Sequence, residues 1–350
     1  MVAVVWAGCG GDDDDDGVSF DAAPPPDSTG PDDAAPPDGN GAPVLPETLP
    51  DPLPNGPLDL TIVTFNTGLI QAVKGADLRL PEIVSAIKAR AAGVDVMCLQ
   101  ELYNEYESPE GMAESLKAEF PYAYWNPVGE TVFKNGLLLL SKHPLYRGRV
   151  LYFENNNTPP FPDRALIAAT VVSEDWNLPV LCTHLQAGLA GTEDPAIRLA
   201  EVGEIDDFAD AEGYLDGAAL LLGDFNAGPD PDTTDFECDD PDTKGEVELC
   251  EPADLVAYQA VLDDGWTDPF PADAPCTSCR AQYIALELIA GLFADEPDQR
   301  IDHCWFRNLD PAVFIGGGVV FDEVQSIPFM DETLLTLSDH YGVECSFGPP

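Results

Sequence analysis

The segment LDLTIVTFN (58–66) is apolar on both of its alternating faces, so it reads as a strand covered on two sides. A helix is expected at 81–92, where Pro81 suits a first turn, Ile83, Val84, Ile87 and Ala91 share a face, and Gly93 ends the pattern. VDVMCLQE (94–101) is the next strand. A strand, a helix and a second strand in that order imply a parallel pair.

Further strands are expected at 135–141, 165–172, 179–185, 218–225, 301–307 and 340–347, with a helix at 195–212. Several of these strands have no room for a helix between them and must pair antiparallel. The sum is a mixed α/β domain running from 58 to 350. Residues 230–300 read as an insertion, with few strand signals and many Asp and Pro. Cys238, Cys250, Cys276 and Cys279 fall there. The pairs 238–250 and 276–279 are candidate disulfides, although Cys276-x-x-Cys279 also has the spacing of half a zinc site. Cys98, Cys182 and Cys304, inside apolar strands, are expected to be buried thiols. The apolar run 283–293 has the spacing of a packing helix, with contact to lipid as the alternative.

Charge narrows the partners. The 350 residues carry 64 acidic and 15 basic side chains, a net charge of -49. Residues 1–57 hold 12 of the acids and no Lys or Arg, which leaves -37 on the remainder. Polyanion binding normally uses clustered Lys and Arg, and no such cluster is present. Residues 10–57, rich in Pro and Asp, are expected to be a disordered tether. At the front, Met1 to Gly8 is short and apolar and Cys9 follows two small residues. This resembles a bacterial lipoprotein signal, with Cys9 lipidated and the chain anchored to a membrane or secreted. The expectation is an extracytoplasmic monomer with no protein partner.

Polar residues fall at strand ends in a consistent way. Asn66, Glu101, His184, Asp224 and Asn226 follow or close strands, whereas Asp302 and Asp339-His340 stand at the beginning of theirs. In a mixed sheet the two groups meet on one rim. Carboxylates and an amide oxygen are hard ligands for Mg²⁺, Mn²⁺ or Ca²⁺. A metal of that kind neutralises charge building on a phosphoryl oxygen, while histidines move protons or hold the phosphate. Each residue alone has an ordinary role: Asn66 in a turn cap, Asp224 in an Asx-turn, His340 in a core. Those roles do not account for all eight of them sharing a rim. No Gly-rich phosphate loop and no G-x-S-x-G elbow is present.

TFNTG (64–68), LQE (99–101), NGLLLLSKHPL (135–145), THLQAG (183–188), GDFNAGP (223–229), RIDHCWF (300–306) and SDH (338–340) occur in the order found in the endonuclease/exonuclease/phosphatase superfamily. The chain resembles that superfamily over about 58–229 and 300–347, with a likeness to neutral sphingomyelinases. The resemblance implies a four-layer, deoxyribonuclease I-like sandwich, two packed mixed sheets with helices outside. It implies that Glu101 is the principal metal ligand, aided by Asn66 and Asp339, with Mg²⁺ favoured over Mn²⁺ or Ca²⁺. It further implies that Asp224 orients or deprotonates water, that Asn226 stabilises the transition state, and that His340, oriented by Asp302, and His184 contact the phosphate or leaving group. Asn135 and Arg164 are candidate substrate-binding residues. His303 departs from the family pattern, which usually has an aromatic there.

The expected function is metal-dependent phosphodiester hydrolysis by water attack, on a phospholipid head group or small phosphodiester, as in a sphingomyelinase or phospholipase C. Secreted nuclease activity on nucleic acid is the alternative. Inositol phosphate phosphatase activity and a non-catalytic surface binding role are further ones.

Overall fold

A computed structural model describes residues 42–70, 73–103, 106–126, 135–154, 164–187, 194–229, 237–238, 248–249, 253–279, 286, 298–330 and 332–349. Cys9, Cys250, the side chain of Cys238 and all of 283–293 except Leu286 lie outside them.

Two mixed sheets form the centre. The first contains β1 (Leu60–Asn66), β2 (Val96–Gln100), β3 (Tyr122–Tyr124), β4 (Leu138–Ser141), β12 (Phe314–Val320) and β15 (Gly342–Phe347), in the order β12-β15-β1-β2-β4-β3. The second contains β5 (Leu145–Tyr152), β6 (Ala165–Val172), β7 (Asn177–His184), β8 (Ala219–Asp224) and β11 (Asp302–Arg307), in the order β11-β8-β7-β6-β5. Each sheet has one parallel pair, β1 with β2 and β7 with β8, and antiparallel neighbours elsewhere. The helix between each parallel pair, α1 (Ala76–Arg90) or α3 (Asp194–Ala211), covers the outer face of its sheet. A two-residue ribbon, β9 (Glu237–Cys238) with β10 (Glu248–Leu249), and a hairpin, β13 (Ile327–Phe329) with β14 (Glu332–Leu334), lie apart from the sheets.

Three apolar layers fill the spaces. Ile62, Cys98, Ile167, Cys182, Leu222 and Cys345 lie between the sheets. Val63, Phe65 and Leu99 face α1 and α2 (Pro109–Leu116). Leu166, Leu221 and Trp305 face α3 and α4 (Ala253–Asp263). Alternate residues of β1 therefore enter different layers, which explains its unbroken apolar run.

Several expectations are corrected. Helix α1 begins at Ala76, so Pro81 sits inside it. The earlier start follows from Gly75 in the left-handed conformation (φ 62°) and from Arg79, whose fully buried guanidinium finds carbonyl partners at Lys74, Thr67, Gly68 and Leu337. Cys98, Cys182 and Cys304 are not thiols. Cys98 is bonded to Cys182 and Cys304 to Cys345, with Cα separations of 5.6 and 6.7 Å. Both bonds cross from one sheet to the other, because facing strands place these inward side chains within bridging distance. Cys276 and Cys279 form a third bond. Finally, residues from Ala42 onward do not behave as free tether. The Pro46 carbonyl accepts from Arg147, Glu47 pairs with Arg149, Gly56 donates to Asp175, and the Pro54 carbonyl accepts from Asn177. The body of the protein thus starts before Leu58.

Candidate active site

The strand directions put the polar ends together. β1, β2, β7 and β8 run toward one rim, and β11 and β15 run away from it, so Asn66, Glu101, His184 and Asp224 meet Asp302, Asp339 and His340. Asp224 is the hub. Its Oδ2 accepts from Asn66 Nδ2 at 2.9 Å and lies 3.4 Å from His184 Nε2 and 3.8 Å from His340 Nδ1. Its Oδ1 accepts from the backbone of Asn226 at 2.9 Å. Burial, then the neighbouring Asp302, pushes the Asp224 carboxyl up to about 6.

His340 lies between two carboxylates, with Nδ1 2.8 Å from Asp302 Oδ2. Burial opposes its charge, but Asp302 and Asp224 outweigh that and hold it well above the ordinary histidine range. His184 is the opposite case. Burial, together with the positive charges of Arg164 and His340, keeps it well below that range and neutral. Two histidines a few ångströms from one carboxylate are therefore in different charge states.

Glu101 follows β2 in the left-handed conformation (φ 64°). Its Oε2 is buried and has no hydrogen-bond partner among the described residues. Burial, then the charge of Asp339, pushes its carboxyl up to about 7. Asp339 is placed by the turn after β1: the Ser338 hydroxyl lies 2.8 Å from the Asn66 carbonyl and 3.0 Å from Asp339 Oδ1. Gly68, at φ 56°, passes so close that a Cβ would stand 2.3 Å from Asp339 Oδ1. The glycine of TFNTG is thus dictated by the SDH motif more than 250 residues away.

A metal fits this chemistry. Asp224, Asp302 and His340 each present a ligand atom within 4.8 Å of one another, a group that binds an ion only once His340 gives up its proton. Glu101, whose proton affinity the charge of Asp339 raises and whose buried oxygen is unpartnered among the described residues, makes with Asp339 a second such position.

The remaining expected residues divide. Asn226, in the left-handed conformation (φ 46°), sends Nδ2 to the Leu185 carbonyl at 3.2 Å. Arg164 is buried near the rim and donates to the Tyr103 hydroxyl at 3.0 Å. The Asn135 side chain bonds Asn126, Tyr152 and Leu137, and none of these partners among the described residues belongs to the cluster. His303 points to the opposite face of β11 from Asp302. Its Nε2 donates to the Ala227 carbonyl, Arg300 donates to its Nδ1, and its ring packs on Phe225, Tyr258 and Trp305. It thereby fills the layer an aromatic would fill.

Sequence reasoning missed Tyr103, Thr277 and Arg79. Thr277 Oγ1 accepts from the backbone of Ile301 and Asp302 and fixes the start of β11. The short Cys276–Cys279 loop that carries it was its one visible signal. Tyr103 stands two residues beyond LQE, and Arg79 shows as a basic residue on the apolar approach to a helix.

Two mixed sheets packed face to face, helices outside and the polar rim at one end define the deoxyribonuclease I-like class of proteins. Residues 63–340 match the model of the Endonuclease/Exonuclease/phosphatase family, and the chain belongs to that family. Membership implies a phosphoric ester hydrolase. Among solved structures, sphingomyelinase C from Streptomyces griseocarneus is similar, at TM-score 0.62 and 21% identity over 83% of this chain and 99% of that one. Beta toxin from Staphylococcus aureus with bound magnesium ions gives 0.63 and 16% over 83% and 100%. TDP2 from C. elegans gives 0.55 and 15% over 83% and 76%. No curated protein matches the sequence.

Proposed function

We propose that the chain is a metal-dependent phosphodiester hydrolase working outside the cytoplasm, on a phospholipid head group or a small phosphodiester. The observation that carries this reading is the division of the rim into two carboxylate sets. Asp224 and Asp302 are balanced by the imidazolium of His340. Glu101 and Asp339 have no ion pair among the described residues, and Glu101 keeps a buried oxygen without a partner. A half-buried carboxylate pair with one buried, unpartnered oxygen is costly to ionise unless a cation joins it.

Glu101, Asp339 and the Asn66 amide are assigned to hold Mg²⁺, with Mn²⁺ or Ca²⁺ as substitutes. A bound ion there supplies neutralisation of charge on a phosphoryl oxygen. Asp224, ringed by donors and ionised above about pH 6, takes the proton from water. Asn226 and His184 donate to the developing charge, and the imidazolium of His340 faces the phosphate. The acidic surface and the scarcity of cations at the rim favour a substrate with little net negative charge over a polyanion. Structural likeness to a sphingomyelinase C agrees with that choice.

In this reading residues 1–41 carry the signal, the lipid on Cys9 and the tether, and the body is catalytic. Two disulfides across the core accord with an oxidising compartment. The test is turnover of sphingomyelin, a soluble phosphodiester, a phosphomonoester and duplex DNA, each with Mg²⁺ and with chelator, at low and high salt. Turnover undiminished by chelator refutes the metal; DNA cleavage exceeding lipid hydrolysis at low salt refutes the substrate.

A further inference from the structure

We infer that Tyr103 is a positioning residue whose hydroxyl, held by Arg164, fixes the His184 ring with its Nε2–H directed at Asp224 and at the phosphoryl group bound beside it. The inference rests on the reading of the rim given above. Tyr103 is buried, and its ring lies against Gly136, where a Cβ would come within 2.6 Å of it. Its hydroxyl is 3.0 Å from Arg164 Nη1 and 3.2 Å from His184 Nδ1. The other nitrogen of the imidazole, Nε2, is 3.4 Å from Asp224 Oδ2.

The proton positions follow from the partners. A guanidinium only donates, so the phenol oxygen accepts from Arg164. An ionised carboxylate only accepts, so the nitrogen facing Asp224 has to carry hydrogen. A neutral imidazole has a single N–H, which leaves Nδ1 as an acceptor for the phenol proton. Arg164 and Tyr103 thus form a directed chain of hydrogen bonds to His184 Nδ1, which leaves the Nε2–H facing Asp224 at 3.4 Å. The long 3.4 Å separation leaves the Nε2–H able to turn to a phosphoryl oxygen. A phenylalanine at 103 would fill the same space without supplying the proton. The chain also gives Arg164 a place behind the rim, acting through Tyr103.

The ring state is read directly by nitrogen NMR of the full chain labelled at histidine, which has four such residues. His184 signals are assigned by their loss in His184→Gln. The wild type is expected to show His184 as the neutral Nε2–H tautomer. In Tyr103→Phe the preference should fall to a mixture. Turnover of a soluble phosphodiester should fall roughly 10–100-fold, as when the partner orienting a reacting histidine is removed. KM and melting temperature should change little. An Nδ1–H tautomer in the wild type overturns the inference, and this spectrum decides even if Tyr103→Phe fails to fold. An unchanged tautomer in Tyr103→Phe overturns it as well. If the wild type shows the expected tautomer but hydrolyses no phosphodiester, the chain of bonds stands and the proposed function falls.

Discussion

Asp224 and Asp302 are register partners across the β8–β11 ladder, and the Nδ1 of His340 lies near both, 3.8 Å from the first and 2.8 Å from the second. Two carboxylates placed side by side would share a proton if nothing intervened. The imidazolium draws down the proton affinity of Asp224, which is left free to act as a base above about pH 6.

Asp224→Asn therefore removes the base while keeping an oxygen to accept from Asn226. Turnover is expected to fall on the order of 10²–10⁴-fold. KM should move far less, since the lost interaction matters mainly in the transition state. Kinetics and a melting curve on the same preparation check this. Near-normal turnover takes Asp224 out of the mechanism, and a large drop in melting temperature assigns it a structural role.

Glu101→Gln tests the metal position. A neutral amide binds a hard dication poorly, so calorimetric Mg²⁺ binding should weaken strongly and turnover should drop about 10²-fold or more. The substitution also relieves the repulsion between Glu101 and Asp339. The metal-free variant should therefore be at least as stable as the metal-free wild type. Unchanged Mg²⁺ affinity would place the ion elsewhere, with the trio Asp224, Asp302 and His340 the next position to examine.

The parts of this fold that were legible in the sequence are those buried on both faces. β6 lies at the bounds its apolar run implies, and the polar rim was visible because each of its residues interrupts such a run at an end. The edge strands β5 and β12 were not legible, whereas the edge strand β11, buried along most of its length, was. β5 carries Arg147, Gly148 and Arg149 in its middle and is mostly half-buried, and β12 has three glycines in its seven residues, so neither carries a strand pattern. Helix α4 was hidden in a stretch read as an insertion. The inter-sheet disulfides were missed for a related reason. A cysteine in an apolar strand looks the same whether its partner is a leucine or another cysteine, because the pairing depends on which strands face one another. Tyr103 was missed because its role lies in a single hydroxyl.

Glu201 supplies a pH-dependent prediction away from the rim. It is fully buried on α3, its Oε2 accepts from the Gln186 backbone at 2.8 Å, and burial, against the pull of Arg164 and Arg198, pushes its carboxyl up to about 8. A folded-state value above the unfolded one means that the contribution to stability is complete below the ordinary carboxylate range and is lost as pH rises through about 8. Glu201→Gln cannot ionise and should gain stability relative to wild type across that interval. Denaturant melts of both proteins at acid, neutral and alkaline pH measure it. Parallel stability curves would show that Glu201 ionises normally.

The disulfides between the sheets close long loops, with sequence separations of 84 and 41 residues. Replacing both cysteines of either pair by alanine should cost on the order of 2–4 kcal/mol, chiefly through a less restricted unfolded chain. Removing the Cys276–Cys279 bond, which closes a separation of only 3, should cost less in stability and more in the alignment of Asp302 through Thr277. Melting temperature and turnover compared across the three double variants separate the two effects.

The rim is shared between the sheets. Asn66, Glu101, Asp339 and His340 lie at or beside the strand ends of one, and His184, Asp224 and Asp302 at the strand ends of the other. Neither sheet owns a complete set. The distance across which a ligand must be gripped is thus set by the thickness of the hydrocarbon filling, roughly 10 Å in a packed pair of sheets. Ile167 and Leu222 have no polar side-chain atom, yet they act as spacers for the chemistry above them. Trimming or enlarging them changes the gauge of the site without touching a single polar group in it.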